Sequence, residues 1–184
     1  KYGFSPSVNI ILFVPESTID DIYFVMKTAT EYMLKGCQIA MTPLLRPMPG
    51  SGIHELIKKG LTPVKAKCAK WTNPETNQIV EYPLYCIPLE KKLADFIEEF
   101  EIKEFEDMER ISKGEQERIV KMVKWDSKVV PRPITALSVF ITLSRFLERY
   151  DWVEYFEKAV FEILGRNNYL AKENSLEAKE SLIL

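Results

Sequence analysis

One histidine and three cysteines in 184 residues leave this chain little equipment for metal or nucleophile chemistry. With His54 alone, no histidine metal cluster can form within the chain. Cys37, Cys68 and Cys86 are odd in number and widely spaced. They fit neither a disulfide framework nor paired metal-ligand spacing, so a reducing, cytoplasmic setting is expected. No apolar run approaches the roughly 20 residues of a membrane span and no signal-peptide pattern is visible, so no membrane partner is expected. A net charge of −2 supplies no general pull toward nucleic acid. Internal repeats and low-complexity segments are also missing. The chain starts at Lys1 without an initiator methionine and is strongly apolar by Val8, which suggests a piece of a longer protein.

What is present begins with a strand, a turn and a helix. Residues 8–14 are almost all β-branched, aliphatic or aromatic, the pattern of a strand buried on both faces. Pro15 stops it, Ser17 or Thr18 can cap a helix, and Asp20 and Asp21 complement that helix's dipole. Ile19, Ile22, Tyr23, Met26, Ala29 and Met33 recur at helical spacing, and Gly36 is placed to end the helix. Residues 38–42 read as the next strand, followed by a proline-rich loop and a short helix over 52–59 ended by Gly60. Two consecutive β/α units of this kind place ligands at the carboxyl ends of their strands.

Residues 64–71 and 78–86 read as an antiparallel hairpin, with Pro83 and Pro88 pushing its second arm toward an edge. The segment 89–110 carries nine acidic and four basic residues beside Leu93, Phe96, Ile97, Phe100 and Phe105, and reads as one helix. Further helices are expected over 115–125, 134–149 and 152–164, with a break at the prolines of 129–133 and Gly165 as terminator. The expected fold class is α/β in its first part and α+β overall, with partial parallel β/α barrel units, a hairpin and a helical second half. The expected divisions are 1–60 for the β/α part, 61–88 for the hairpin insert, 89–170 for the helical region and 171–184 for a polar tail.

Most of the conspicuous side chains have plain structural explanations. Glu16 reads as a helix dipole partner, His54 as a surface or boundary residue, and the cysteines as small buried hydrophobes. The acidic run of 89–110 reads as a solvated helix face. Lys65, Lys67, Lys70 and Trp71 would guard an edge strand rather than bind nucleic acid. Phe140, Phe146, Trp152, Tyr155, Phe156 and Phe161 read as core.

The first sixty residues resemble the late portion of the radical S-adenosylmethionine (radical SAM) barrel. Asn9-Ile10-Ile11-Leu12-Phe13-Val14-Pro15-Glu16 is similar to the G-x-I-x-G-x-x-E pattern of that family's fifth strand. Ile11 and Glu16 match, while Asn9 and Phe13 replace the two glycines. Pro15-Glu16-Ser17-Thr18 followed by Asp20-Asp21 is similar to P-x-E-T-x-x-D. Thr42-Pro43 through Pro49-Gly50-Ser51, then Ile53-His54-Glu55-Leu56, resembles the family's sixth strand exit and following helix.

The resemblance implies that Ile11 offers an apolar surface to the adenine of SAM. It further implies that Met41, Thr42 and Pro43 contribute the backbone that meets the adenine edge. Arg46 would meet a carboxylate bidentately. In the intact family a [4Fe-4S] cluster cleaves SAM reductively to a 5′-deoxyadenosyl radical that abstracts a substrate hydrogen. The cluster-binding C-x-x-x-C-x-x-C motif does not occur in this chain. The implied role is therefore the C-terminal part of an iron–sulfur oxidoreductase-like protein. It would complete a SAM pocket, cover substrate and depend on upstream sequence as partner, with self-association through an open sheet edge. Phe13 would crowd the place that glycine leaves open. Two other readings stand beside it: a non-catalytic α+β protein-interaction module, and a small enzyme using carboxylates at Glu16 and Glu55.

Overall fold

The computed structural model describes residues 6–60, 65–125 and 130–166; the tail expected over 171–184 lies outside them. Strand β1 (Ser7–Phe13) leads into helix α1 (Ile19–Leu34) and strand β2 (Gln38–Leu44). Gln38 N–H donates to Pro6 C=O at 2.8 Å and Leu45 N–H to Phe13 C=O at 3.1 Å, a constant offset along two parallel strands. The parallel pair stands alone as a two-stranded sheet, with no barrel among the described residues. Burial on both faces, expected for β1, holds only at Leu12 and Phe13. Earlier positions alternate between exposed and half-buried, because a two-stranded ribbon has only one face covered there.

The turn between β1 and α1 decides the helix cap. Ser17 serves the turn: its hydroxyl accepts the Val14 N–H at 3.0 Å and its own N–H donates to Val14 C=O. Thr18 is the cap. Its N–H and hydroxyl donate to the Asp21 carboxylate at 2.9 and 2.7 Å, and its hydroxyl accepts the Asp21 N–H at 3.2 Å. Donors at the helix start are thus satisfied reciprocally, with aspartate in place of the usual glutamate. Both donations to the carboxylate hold the Asp21 pKa below the usual aspartate value. At the far end Gly36 adopts φ 84°, and Cys37 N–H returns to Tyr32 C=O, closing a Schellman turn.

Helix α2 (Gly52–Lys58) is capped by Ser51, whose hydroxyl accepts the His54 N–H at 3.3 Å. Strands β3 (Lys65–Thr72) and β4 (Ile79–Ile87) then pair antiparallel. The register shifts between Lys67 and Cys68, whose partners Tyr85 and Pro83 leave Leu84 as the extra residue. A proline without an N–H and a bulge together explain how β4 continues through Pro83.

The single helix expected over 89–110 is two helices, α3 (Lys91–Glu99) and the start of α4 (Phe105–Met122). Glu101 enters the left-handed region at φ 51°, and Ile102 N–H returns to Ile97 C=O at 3.0 Å. The Asp107 carboxylate then accepts the N–H groups of Lys103 and Glu104 at 2.9 and 3.0 Å, starting α4. From Phe105 the helix runs unbroken past 115, with Gly114 inside α4. That helix ends at Lys124 (φ 53°) by the same turn, with Trp125 N–H on Val120 C=O.

Helix α5 (Arg132–Phe146) begins at the prolines expected to break the chain, because Pro131 caps it and Pro133 sits in its first turn, where no N–H is needed. It is buried on nearly every side, polar positions included. Its buried Ser138 and Ser144 donate to carbonyls of their own helix, Thr135 and Phe140, both at 2.7 Å. Gln116 of α4 donates to Thr135 at 2.9 Å. Helix α6 (Tyr150–Arg166) packs on α5 with Phe156 against Phe140, ring centroids 5.4 Å apart, and Gly165 lies within its last turn. Of the aromatics expected in the core, Phe140, Trp152 and Phe156 are buried, whereas Phe161 is exposed.

Glu115 accepts from Arg118 and Arg145, each at 2.8 Å, and Glu157 accepts from the same two arginines at 2.6 and 3.4 Å. This ring of four alternating charges joins α4, α5 and α6. Two compact units result, one drawing on Ile11–Phe24 and Met41–Asp107, the other on Lys1–Ile10, Val25–Ala40 and Met108–Leu184.

Helix α5 ends at Glu148 with φ 59°, where Arg149 N–H reaches Ser144 C=O at 2.9 Å. A left-handed non-glycine residue is strained, so Glu148→Gly is expected to raise stability by about 0.5–1 kcal/mol after the greater freedom of unfolded glycine is subtracted, as read by urea denaturation. Asp21 supplies a pH test. Its folded pKa lies below its unfolded value, so its contribution is present above the unfolded pKa and lost as pH falls through the folded one. Thr18→Val should raise the Asp21 midpoint in a carboxyl NMR titration and flatten the acid side of the stability profile.

Candidate functional site at the strand ends

The pairing of β1 with β2 sets which candidate residues meet. With the offset fixed by the Phe13–Leu45 hydrogen bond and side chains alternating along each strand, Ile11 and Thr42 stand side by side on one face. Met41 and Pro43 point to the opposite face. Ile11 is 39% exposed, Thr42 and Met41 are half-buried, and Pro43 is buried. The five residues implied by the resemblance therefore divide: Ile11 and Thr42 share one face, Met41 and Pro43 the other, and Arg46 lies on the loop beyond.

The end of that face is closed by the chain itself. Phe13, in the place of the family's second glycine, packs on Phe96 of α3 with ring centroids 6.2 Å apart, and Phe96 stacks edge-on against Phe100. Phe13 and Phe96 are both fully buried. Two backbone hydrogen bonds tie the strand exits down, Cys86 N–H to Leu45 C=O and Leu89 N–H to Pro15 C=O, both 2.9 Å. Arg46, on the loop after β2, does meet a carboxylate, but one belonging to this chain: its guanidinium pairs with Glu104, and both side chains are about half exposed.

The remaining candidates separate. His54 is buried, not at the surface, and its Nδ1 lies 3.3 Å from the Glu55 carboxylate. Among the described residues no hydrogen bond links Glu16 to Glu55, whose carboxylate lies beside His54. Glu16 instead acts on Cys86, whose thiol pKa is raised first by burial and then by that negative charge. Of the cysteines only Cys86 is buried; Cys37 is half-buried, Cys68 is exposed, and none is in a disulfide. On the hairpin Lys70 is exposed, and the side chains of Lys65, Lys67 and Trp71 lie outside the described set.

The arrangement offers a flat apolar surface at Ile11 with a hydroxyl beside it. Among the described residues no group of three His, Cys, Asp or Glu side chains is placed to hold a metal ion. No helix among them is long and apolar enough to cross a membrane. Sequence reasoning missed Phe96, Cys86 and Glu104 as the residues that shape the site. Phe96 was legible only as one member of an apolar helix stripe. Glu104 is 58 positions from Arg46 and no local pattern announces the pair. No family model, curated protein or solved structure matches the chain.

Thiol accessibility checks this geometry directly. Cys68 should be alkylated first in the native protein, Cys37 more slowly, and Cys86 only when denaturant opens the structure. Rapid native modification of Cys86, located by mass spectrometry, would contradict the closure of the strand ends.

Proposed function

We propose that this chain is the C-terminal part of a radical SAM iron–sulfur oxidoreductase-like protein, contributing part of the SAM surface and the cover over substrate. The observation that carries this reading is the parallel β1–α1–β2 unit, whose shared face presents Ile11 beside Thr42 at the strand ends. A flat heteroaromatic ring fits an exposed aliphatic surface bordered by a hydroxyl and strand-end backbone. Three cysteines outside any disulfide support a reducing, cytoplasmic setting. Among the described residues β1 and β2 have no further strand partner, which supports completion by upstream strands, or self-association where those are absent.

The fit to the cofactors is uneven. On this reading the [4Fe-4S] cluster is held by sequence upstream of this segment, and the chain needs that part to act; among the described residues no group of three His, Cys, Asp or Glu side chains is placed to hold a metal. The SAM surface at Ile11 and Thr42 fits an adenine face. Arg46, engaged by Glu104, reaches a ligand carboxylate only by exchanging partners.

A second reading, a non-catalytic α+β interaction module, draws on two observations. Phe13 fills with Phe96 the space that glycine leaves open in the family, and Arg46 is already paired.

The discriminating experiment titrates SAM into this chain and into the parent protein with its upstream sequence, with iron assayed after anaerobic reconstitution. The radical SAM reading expects iron and SAM binding in the longer protein, with Ile11→Asp weakening SAM by about tenfold or more through loss of an apolar contact and a buried charge. A parent without a cluster motif upstream, or one that binds SAM equally well with Ile11→Asp, would leave the interaction module as the better account.

A further inference from the structure

A cavity of about 110 Å³ lies where β4 ends beside the turn out of α3. Ile87, Ile97 and Ile102 form its apolar wall and all three are buried. Tyr85 completes the wall at 8% exposure, and among the described residues its hydroxyl has no hydrogen-bond partner. Burying a hydroxyl unpaired costs about 1–3 kcal/mol, so this phenol is poised to gain from a polar group brought into the cavity.

The rim carries Glu98, Glu101 and Lys103, all exposed. Neither carboxylate has an ion-pair partner among the described residues, in contrast to nearby Asp95, held by Lys91 at 2.9 Å, and Glu104, held by Arg46. Two open carboxylates against one ammonium, with a phenol ring in the wall, favour a cation over an anion. Size narrows the choice. About 110 Å³ falls well below the roughly 300–1,000 Å³ of small-molecule pockets and suits a slender alkyl stem. A lysine side chain has that stem and ends in a compact point charge, whereas arginine carries a broad planar fork.

We propose that this cavity receives the side chain of a lysine presented by a partner polypeptide, the stem lying between Ile97 and Ile102. The ammonium sits among the Tyr85 hydroxyl and the Glu98 and Glu101 carboxylates. The site is independent of the SAM reading, shares no residue with it and stands if that reading fails.

The test uses the intact chain with isoleucine methyl and tyrosine ring labels, titrated with Nα-acetyl-lysine methylamide and, as control, Nα-acetyl-norleucine methylamide. Saturable shifts at Ile97, Ile102 and Tyr85 are expected with the lysine derivative, and binding of the uncharged analogue should be about tenfold weaker, the value of one charge-assisted hydrogen bond. Glu98→Gln with Glu101→Gln should weaken lysine binding about fivefold or more and leave norleucine unchanged. Tyr85→Phe should also weaken lysine, and Lys103→Gln should strengthen it. Glu98, Glu101 and Lys103 are exposed, so these variants keep the fold, which methyl shifts remote from the cavity would verify. Equal binding of the two derivatives, unchanged lysine affinity in the double glutamine variant, or no saturable shift in the original chain would overturn the proposal.

Discussion

A single backbone hydrogen bond, from Ile102 N–H to Ile97 C=O, organises the unit that carries both candidate surfaces. It ends α3 with Glu101 in the left-handed region and brings Ile102 back to the level of Ile97, so that both line the cavity beside β4. Had the helix continued, Glu104 could not be where Arg46 meets it, and the wall made by Ile97 and Ile102 would not exist. Because α3 is stopped, Phe96 and Phe100 remain on its final turn, where Phe96 closes over Phe13. The closure of the strand ends and the cavity beside β4 thus have one origin.

The other unit solves a different problem, the burial of a helix with polar residues in its most enclosed stretch. Helix α5 hides Thr135, Ser138 and Ser144, and two of those hydroxyls are satisfied by the helix's own carbonyls. Such bonds let a serine occupy a core position without a partner from elsewhere. The charge ring of Glu115, Arg118, Arg145 and Glu157 lies at partly exposed positions, where water offsets much of its attraction. Its value is geometric, since Arg145 and Arg118 each bridge two carboxylates on different helices.

Features governed by neighbours a few residues apart were legible in the sequence. The β1–α1–β2 order, the hairpin and the termination at Gly36 follow from local apolar spacing and turn chemistry. The resemblance to P-x-E-T-x-x-D gains a physical meaning here, because Thr18 and Asp21 form the reciprocal cap. Any helix can use that cap, so this part of the pattern speaks for a helix start more than for a cofactor. The misplaced helix break has an equally physical reason. Glycine is the usual marker of a left-handed cap, and this chain places Glu101, Lys124 and Glu148 there, while Gly114 sits inside a helix. At the site, Ile11 and Thr42 could be paired from strand order alone. The locking of Phe13 on Phe96 and of Arg46 on Glu104 required partners 83 and 58 positions away, which no local pattern reveals.

The hairpin tip has a practical consequence. Asn73 and its neighbours close the connection by themselves: the Asn73 side chain accepts from Glu75 and Thr76 N–H, its own N–H reaches Gln78 C=O, and Asn77 N–H returns to Asn73 C=O. Residues 74–79 are exposed. Lengthening a closed loop costs only about 0.6 kcal/mol for each doubling. An epitope, a fluorophore-bearing peptide or a small reporter domain could therefore be spliced between Glu75 and Thr76, giving an internal handle for purification or single-molecule attachment that leaves both ends of the chain untouched.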